Sequence, residues 1–353
     1  MIPASHAPGR ARRAVAAVLT SSAVAALALL AAPAGAAAAA YLPPAGKVWN
    51  GVTAGGSTGD FQRRAGKRPA VFQHFIRWGG GYEHAFRRSE QARARVMLHV
   101  STASGQHRRE VISPGAIADG RGDGYLVALS RRLAAHGKPV YLRLMGEMNN
   151  CDNAYAAYNC NGRPRNRDHS AARFKQAWRR AHVILRGGDV ADVDARLRRL
   201  GLPRLAVRPP GALPNPDVAL VWAPMTGGSP MISALDPSRY WPGRRWVDWV
   251  GTSFYSKFPN FGWLERFYRR YAVGQRKPFA VAEWAMWGGD NPAFARRLFA
   301  WVRTHPRVRM VQYNQGDRAN GPFRLVRHPR SAAVIRRSLA SPRFAGWAPE
   351  ERP

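Results

Sequence analysis

The sequence is poor in cysteine and has no pattern typical of a metal site. Among its 353 residues there are only two cysteines, Cys151 and Cys160. In an exported protein, such a close pair is most simply a disulfide that closes a small loop. Metal binding would require more ligands of the right type at suitable spacing, and none lie close by in the sequence. We therefore expect no metal and no cofactor.

Acidic residues are also scarce. The chain has 21 Asp and Glu residues against 55 Lys and Arg residues, which gives a formal net charge of +34. A GC-rich coding bias would scatter arginine over helix surfaces, whereas a functional origin would be attraction to an acidic polysaccharide, cell-wall polymer, phospholipid or nucleic acid. The arginines are scattered, with no dense tract and no nucleic-acid-binding motif, which favours bias together with nonspecific adhesion to anionic polymers. We expect a monomer with no specific nucleic-acid partner.

Long hydrophobic runs are confined to the N-terminus. Three arginines between residues 10 and 13 precede an apolar stretch at 14–30, and small residues follow up to residue 40. This pattern predicts a secretory signal peptide and small-residue linker over residues 1–40, and hence a secreted, extracellular protein. Because the apolar stretch is fairly long, an uncleaved membrane anchor is the alternative. No later segment is apolar enough to span a bilayer, so no transmembrane domain is expected after cleavage of the leader.

The rest of the chain contains eight short apolar runs that alternate with helical stretches. The runs are residues 48–53, 69–76, 95–100, 140–145, 218–222, 246–251, 279–282 and 308–313. Such alternation predicts an α/β fold with parallel strands, because parallel strands need crossover connections. Eight units in this length favour a closed (β/α)8 TIM barrel over residues 41–340, followed by a frayed tail at 341–353. An open doubly wound sheet is the alternative, but no Gly-rich phosphate loop follows the first strand.

Two glutamates lie where the fourth and seventh runs end. Glu147 follows the run at 140–145 and a bendable Gly146, and Glu283 ends the run at 279–282. In a barrel the carboxyl ends of the strands form one mouth, where chemistry is done. Two carboxyl groups held there about 5–5.5 Å apart are what a retaining glycosidase needs. The alternative is that each glutamate forms a structural salt bridge, with Arg143 on the candidate inner face as a partner.

A family resemblance rests on several motifs in order along the chain. The motifs are GEMN at 146–149, FxxxW at 174–178, VWAP at 221–224, YWPG to VDWVG at 240–251, and AEW at 282–284. Together they resemble the family 26 glycoside hydrolases, which are retaining β-glycanases best known as β-mannanases. The resemblance extends from about residue 47 to about residue 339. It implies a secreted endo-β-glycanase whose partner is a polysaccharide, with mannan or a related β-glycan as the first substrate to consider and endo-β-1,4-mannanase as the first activity.

The resemblance also implies roles for individual residues. Glu147 would be the acid/base, Glu283 the nucleophile, and Tyr255 the tyrosine that hydrogen-bonds the nucleophile. A phenol hydroxyl donated to a carboxylate favours its ionised form, as a nucleophile requires. In the family's mannanases a histidine precedes the acid/base, and this chain has Gly146 there. The substitution changes a substrate-contacting group, and the loop between the two cysteines would reshape the groove beside it.

Flat aromatic side chains are expected at the mouth, because pyranose faces are apolar. Five aromatic residues fall at predicted strand ends or in the loops that follow. They are Trp78, Tyr82, Trp222, Trp284 and Trp287. We predict that these residues contact the substrate, together with Asn149 of the acid/base motif; the alternative for each is packing in the core.

The sequence is also compatible with a function of another class. A barrel protein without catalytic activity could bind anionic glycans of the cell envelope. It would show salt-sensitive polymer binding and no sugar release.

Overall fold

The computed structural model describes residues 41–55, 57–104, 109–316, 318 and 321–352. The predicted signal peptide at residues 1–40 lies outside this part of the chain. Among the described residues, no helix combines the length and the apolar character needed to cross a membrane.

Eight parallel strands form a closed barrel, which confirms the predicted TIM-barrel fold. The strands are β1 (Val48–Thr53), β2 (Val71–Arg77), β3 (Arg95–Ser101), β4 (Val140–Leu144), β5 (Val218–Trp222), β6 (Trp249–Tyr255), β7 (Phe279–Ala285) and β8 (Val308–Asn314). They follow one another around the barrel in chain order, and β8 pairs with both β7 and β1. The sixth strand begins three residues later than predicted. Just before it, the carboxylate of Asp248 accepts the backbone N–H of Leu220 at 2.7 Å, and the backbone N–H of Asp248 donates to the carbonyl of Leu220 at 3.1 Å.

Helices cover the outside of the barrel. They are α1 (Gly59–Ala65), α2 (Glu83–Gln91), α3 (Pro114–Ala118), α4 (Asp123–His136), α5 (Ala171–Leu185), α6 (Val190–Arg199), α7 (Phe261–Phe267), α8 (Pro292–Thr304) and α9 (Pro329–Leu339). Between β3 and β4 the chain forms α3 and α4, with a turn at Gly120 between them. The φ of Gly120 is +95°, which a residue with a side chain rarely adopts. This turn places Asp123 at the start of α4, where it pairs with the fully buried Arg180.

Alternation along the strands divides the core into an inner and an outer part. Trp49, Met97 and Tyr141 lie inside the barrel, whereas their strand neighbours Val48, Leu98 and Leu142 pack outwards against the helices. The indole N–H of Trp49 donates to the hydroxyl of Tyr141 at 2.9 Å. Large side chains thus fill the barrel at its amino-terminal end, and the cleft that contains Glu147 and Glu283 lies at the carboxyl ends of the strands.

The C-terminal segment packs against the barrel, contrary to the frayed tail predicted for residues 341–353. Its two-residue strand Phe344–Ala345 pairs with β1. Both carboxylate oxygens of Glu350 accept hydrogen bonds from Arg95, at 2.6 and 2.8 Å. The polar composition of the segment gave no sign of this, because the partner is an arginine at the start of a distant strand.

Candidate active site

The turn after β4 directs Glu147 into the mouth of the barrel. Met145 and Glu147 have φ values of +47° and +54°, a region that residues other than glycine rarely adopt. Neighbouring strand ends hold this turn. The N–H of Met145 donates to the carbonyl of Val100 at 2.9 Å, and that of Glu147 donates to Ala223 at 2.8 Å. The Glu147 side chain keeps about a fifth of its surface exposed.

Glu283 reaches the same mouth through a β-bulge in β7. Thr252 pairs with Val281 and Ser253 pairs with Glu283, so that Ala282 is an extra residue without a partner in β6. Ala280 and Ala282 face the barrel interior, and strict alternation would turn Glu283 outwards. The bulge instead brings the carboxylate of Glu283 into the mouth and turns Trp284 to the outside.

Three donors surround the carboxylate of Glu283. Its Oε2 accepts from Nη1 of Arg143 at 2.5 Å. Its Oε1 accepts from the hydroxyl of Tyr255 and from Nδ2 of Asn314, the latter at 3.0 Å. The Nδ1 of His99 lies 3.9 Å from Oε2. A carboxylate with this many donors is held in one orientation.

Arg143 connects the two glutamates. It is fully buried, and its Nη2 donates to Ser253 at 2.9 Å and lies 3.8 Å from Oε1 of Glu147. Burial alone would lower the pKa of Arg143, but the charges of Glu283 and Glu147 raise it above its ordinary value. The salt bridge considered from the sequence therefore exists, yet it is shared by both glutamates, and both still face the mouth.

Tyr255 is held as a hydrogen-bond donor. Burial, followed by the nearby charge of Glu283, raises the pKa of its phenol well above the ordinary value. The side-chain amide of Asn314 donates to the Tyr255 oxygen at 2.9 Å, so the phenol proton is left to Glu283. Tyr255 thus remains protonated at any pH near neutrality.

The two glutamates line one open cleft of about 1750 Å³. Sites for small molecules usually measure about 300–1,000 Å³, so this cleft is large enough for several sugar units. Exposed apolar side chains occur along it, among them Met231, Phe258 and Trp287. Apolar side chains exposed together in a groove are typical of a binding site.

The fold has counterparts among solved structures, although no protein-family model and no curated protein matches the sequence. A family 26 β-mannanase from Bacteroides ovatus is 16% identical over 85% of this chain and 90% of that chain, with a TM-score of 0.54. A mannanase from Bacillus subtilis is 15% identical over 87% and 89% of the two chains, with a TM-score of 0.55. The catalytic domain of an endo-β-1,4-mannanase from Bacillus sp. JAMB-750 is 13% identical over 86% and 88%, with a TM-score of 0.54.

The chain has the fold of the family 26 glycoside hydrolases. These three mannanases are matched over more than four fifths of both chains, so the likeness includes the whole barrel. It shows that this chain and the three mannanases share the barrel fold.

Of the five aromatic residues predicted to contact substrate, the structure places Trp287 in the cleft, with 38% of its surface exposed. Trp222 is 0% exposed, and Trp284 and Trp78 are also buried. For these three residues packing replaces the predicted sugar contact, since a buried side chain cannot touch a polymer. Trp222 lies between inward-facing Val221 and Ala223 and therefore points towards the helices.

Tyr82 and Asn149 also lie outside the cleft lining. The Tyr82 ring packs 6.2 Å from those of Phe86 and Tyr125. Asn149 is fully buried, and its side chain accepts from the N–H of Met225 at 2.9 Å and donates to the carbonyl of Leu235 at 3.1 Å. Asn149 therefore fixes the loop after β5 rather than contacting a ligand.

Two cleft residues that hydrogen-bond the glutamates were not predicted. Asn314 ends β8 and bonds Glu283, and Asn150 donates from Nδ2 to Oε2 of Glu147 at 3.1 Å. Asn314 could have been found by the rule that located the glutamates, because it is a polar residue at the carboxyl end of an apolar run.

The predicted disulfide is present between Cys151 and Cys160. It closes the loop that follows Glu147. Within the described residues, Cys151, Asp152 and Cys160 form the one cluster of potential metal ligands, but both sulfurs are in the disulfide and offer no thiolate.

Proposed function

We propose that this protein is a secreted, retaining endo-β-glycanase that hydrolyses internal β-glycosidic bonds of a polysaccharide, with mannan or a related β-glycan as its substrate. The observation that supports this most strongly is the contact of both Glu147 and Glu283 with the guanidinium of Arg143, at the edge of one cleft. An open cleft of this size accommodates the middle of a chain, which favours endo action.

In the proposed reaction, Glu283 attacks the anomeric carbon while Glu147 gives its proton to the departing glycosidic oxygen. The leaving part of the chain departs as an alcohol, and a covalent glycosyl-enzyme ester forms on Glu283. Glu147, now a carboxylate, takes a proton from water as the water oxygen attacks the same carbon and releases Glu283. Two inversions at one carbon give net retention.

The surroundings suit these roles. The carboxylate of Glu283 is oriented by donors to both of its oxygens. Arg143 donates to Oε2, and Asn314 and Tyr255 donate to Oε1. Glu147 accepts a side-chain hydrogen bond from Asn150 and is the more exposed of the two glutamates. A group that must exchange protons with substrate and water needs this access.

The test is the release of reducing ends by the native protein and by the E147Q and E283Q variants, with E83Q as a control. Glu83 is an exposed glutamate that pairs with Arg132 outside the cleft. The polymers are mannan, mixed-linkage glucan, xylan and an acidic glycan. We expect the native protein and E83Q to cleave at least one polymer, and each cleft variant to lose about 10²–10⁴-fold in rate or more.

A native protein that releases nothing from any of the four polymers would contradict the proposal. Salt-sensitive binding of the acidic glycan without release would then support the non-catalytic glycan-binding barrel.

A further inference from the structure

An exposed ammonium group stands beside the aromatic surface next to Glu283. The Nζ of Lys257 lies 5.1 Å from the ring centre of Trp287 and 5.6 Å from that of Phe258. The Trp287 ring in turn lies 5.3 Å from the ring of Tyr255, which donates to Glu283. A sugar stacked on Trp287 would therefore be close to the nucleophile and within reach of Lys257.

Lysine is the rarer basic residue in this chain, so a coding bias towards arginine does not account for Lys257. The chain has six lysines among its 55 basic residues. Three of the others bind oxygen acceptors, since Lys47 and Lys67 donate to backbone carbonyls and Lys138 pairs with Glu351. Among the described residues, Lys257 has no carboxylate partner, and it lines the cleft.

The rest of the cleft has more cations than available acids. Arg77, at the end of β2, lines the side of the mouth opposite the loop that carries Lys257, and no carboxylate in the described part of the chain pairs with it. The acidic side chains that line the cleft are Glu147, Glu283 and Asp152, and the two glutamates already contact Arg143. A neutral polymer would leave these cations without a counter-charge, whereas an anionic one would be attracted into the groove.

We propose that the substrate is a β-linked glycan with a carboxylate or sulfate group on its sugars, and that Lys257 binds this group on the unit stacked against Trp287. This inference rests on the proposed function for the position of the nucleophile. It refines the substrate from a β-glycan in general to an anionic one. An ammonium group over an aromatic ring pairs more strongly with an anionic group than an ammonium surrounded by water does, because the ring excludes solvent on one side.

The experiment compares polymers that differ only in charge. Mannan and mixed-linkage glucan are used untreated, oxidised at C6 to uronates, and sulfated. Binding is measured by affinity electrophoresis with the native protein and with K257Q, K257R and K175Q, the last being a lysine on α5 away from the cleft. Turnover of each polymer is measured in parallel.

We expect the native protein to bind an oxidised or sulfated polymer more tightly than the untreated one. In K257Q the ratio of the affinity for the anionic polymer to that for the neutral polymer should fall by about tenfold, because one charged hydrogen bond is lost. K257R should restore most of the ratio, and K175Q should leave it unchanged. Whichever anionic form responds identifies the group as carboxylate or sulfate.

Equal affinity of the native protein for the charged and neutral forms, or an unchanged ratio in K257Q, would overturn the inference. Neither result would affect the proposed function, which is tested separately by the cleavage of the polymers. Binding is measured without turnover, so the two failures are distinguishable.

Discussion

Gly146 lies so close to His99 that a Cβ atom built on the glycine would come within 2.7 Å of His99 Nε2. The same Cβ would lie 2.5 Å from Nε of Arg143. Both neighbours contact Glu283, so a side chain at position 146 would disturb the surroundings of the proposed nucleophile. The packing of Arg143 and His99 thus favours a glycine at position 146.

The G146A variant should therefore lose activity although it adds only one methyl group. We expect kcat to fall by about 10²-fold, the effect of misplacing a catalytic group by about 1 Å. The matched control is G289A, because a Cβ on Gly289 meets nothing within 4 Å. Rates on the polymer that the native protein cleaves best provide the measurement, and a G146A rate equal to that of G289A would refute this view of position 146.

Removing Arg143 should destabilise the protein because it leaves Glu283 buried without a cation. We expect R143M to lower the free energy of unfolding by about 3–5 kcal/mol, as for other broken buried ion pairs. The double variant R143M/E283Q should regain part of this loss, since glutamine carries no charge. Urea denaturation of the native protein and the variants R143M, E283Q and R143M/E283Q gives the coupling free energy between Arg143 and Glu283. Equal losses in R143M and in the double variant would show that the pair has no such role.

Tyr255 supplies one of the hydrogen bonds to Glu283, and Y255F removes it with little change in shape. We expect kcat to fall by about 10²–10³-fold, as when a preorganised donor to a charged group is lost. Tyr268 provides the control, because its hydroxyl accepts the N–H of Arg307 on the far side of the barrel from the mouth. A Y255F enzyme as fast as Y268F would mean that Arg143 and Asn314 suffice.

Trp287 should contribute to substrate binding and Trp222 should not. We expect W287A to raise KM for the polymer by about tenfold, which corresponds to the loss of one aromatic platform. In contrast, W222F should lower stability without a selective change in KM, because Trp222 is buried and its indole donates to the carbonyl of Tyr240 at 3.1 Å. Steady-state kinetics together with thermal unfolding separate the two effects, and an unchanged KM in W287A would exclude the platform.

His74 should make the protein less stable in acid. Burial, with nearby His84 and Arg88, lowers its pKa to about 3, while in the unfolded chain the pKa is about 6.5. The unfolded state thus binds the proton first, so the stabilisation is complete above pH 6.5 and is lost progressively as the pH falls towards 3. At pH 5 this single group lowers the free energy of unfolding by about 2 kcal/mol relative to its value well above pH 6.5. Urea denaturation at pH 7.5 and at pH 5 gives the loss of unfolding free energy between these two pH values. This loss should be smaller for H74Q than for the native protein, and an equal loss would exclude His74 as a source of the acid sensitivity.

The sequence located the barrel and its two glutamates because both are local patterns. Each strand is a short apolar run, and Glu147 and Glu283 are charges at the ends of such runs. The orientation of side chains was harder to predict. Simple alternation identifies Trp222 as outward-facing, but the bulge at Ala282 reverses the faces of Glu283 and Trp284, and it is visible only in the pairing of β7 with β6.

Long-range partners were beyond prediction for a different reason. Glu350 binds Arg95, which lies 255 positions away in the chain. The polar C-terminal segment, which its composition predicts to be frayed, is therefore held against the barrel. Arg143 was recognised as a partner for a glutamate, but its contact with both glutamates depends on the closure of the barrel.

The central claim, that Glu283 is the nucleophile of a retaining enzyme, is tested most directly by trapping the covalent intermediate. The native protein is incubated with 2-deoxy-2-fluoro-β-mannosyl and β-glucosyl fluorides, digested and analysed by mass spectrometry. We predict a fluoroglycosyl group attached to Glu283 and no attachment in E283Q. Attachment to another residue, or a native enzyme whose first product has the inverted anomeric configuration, would contradict the account.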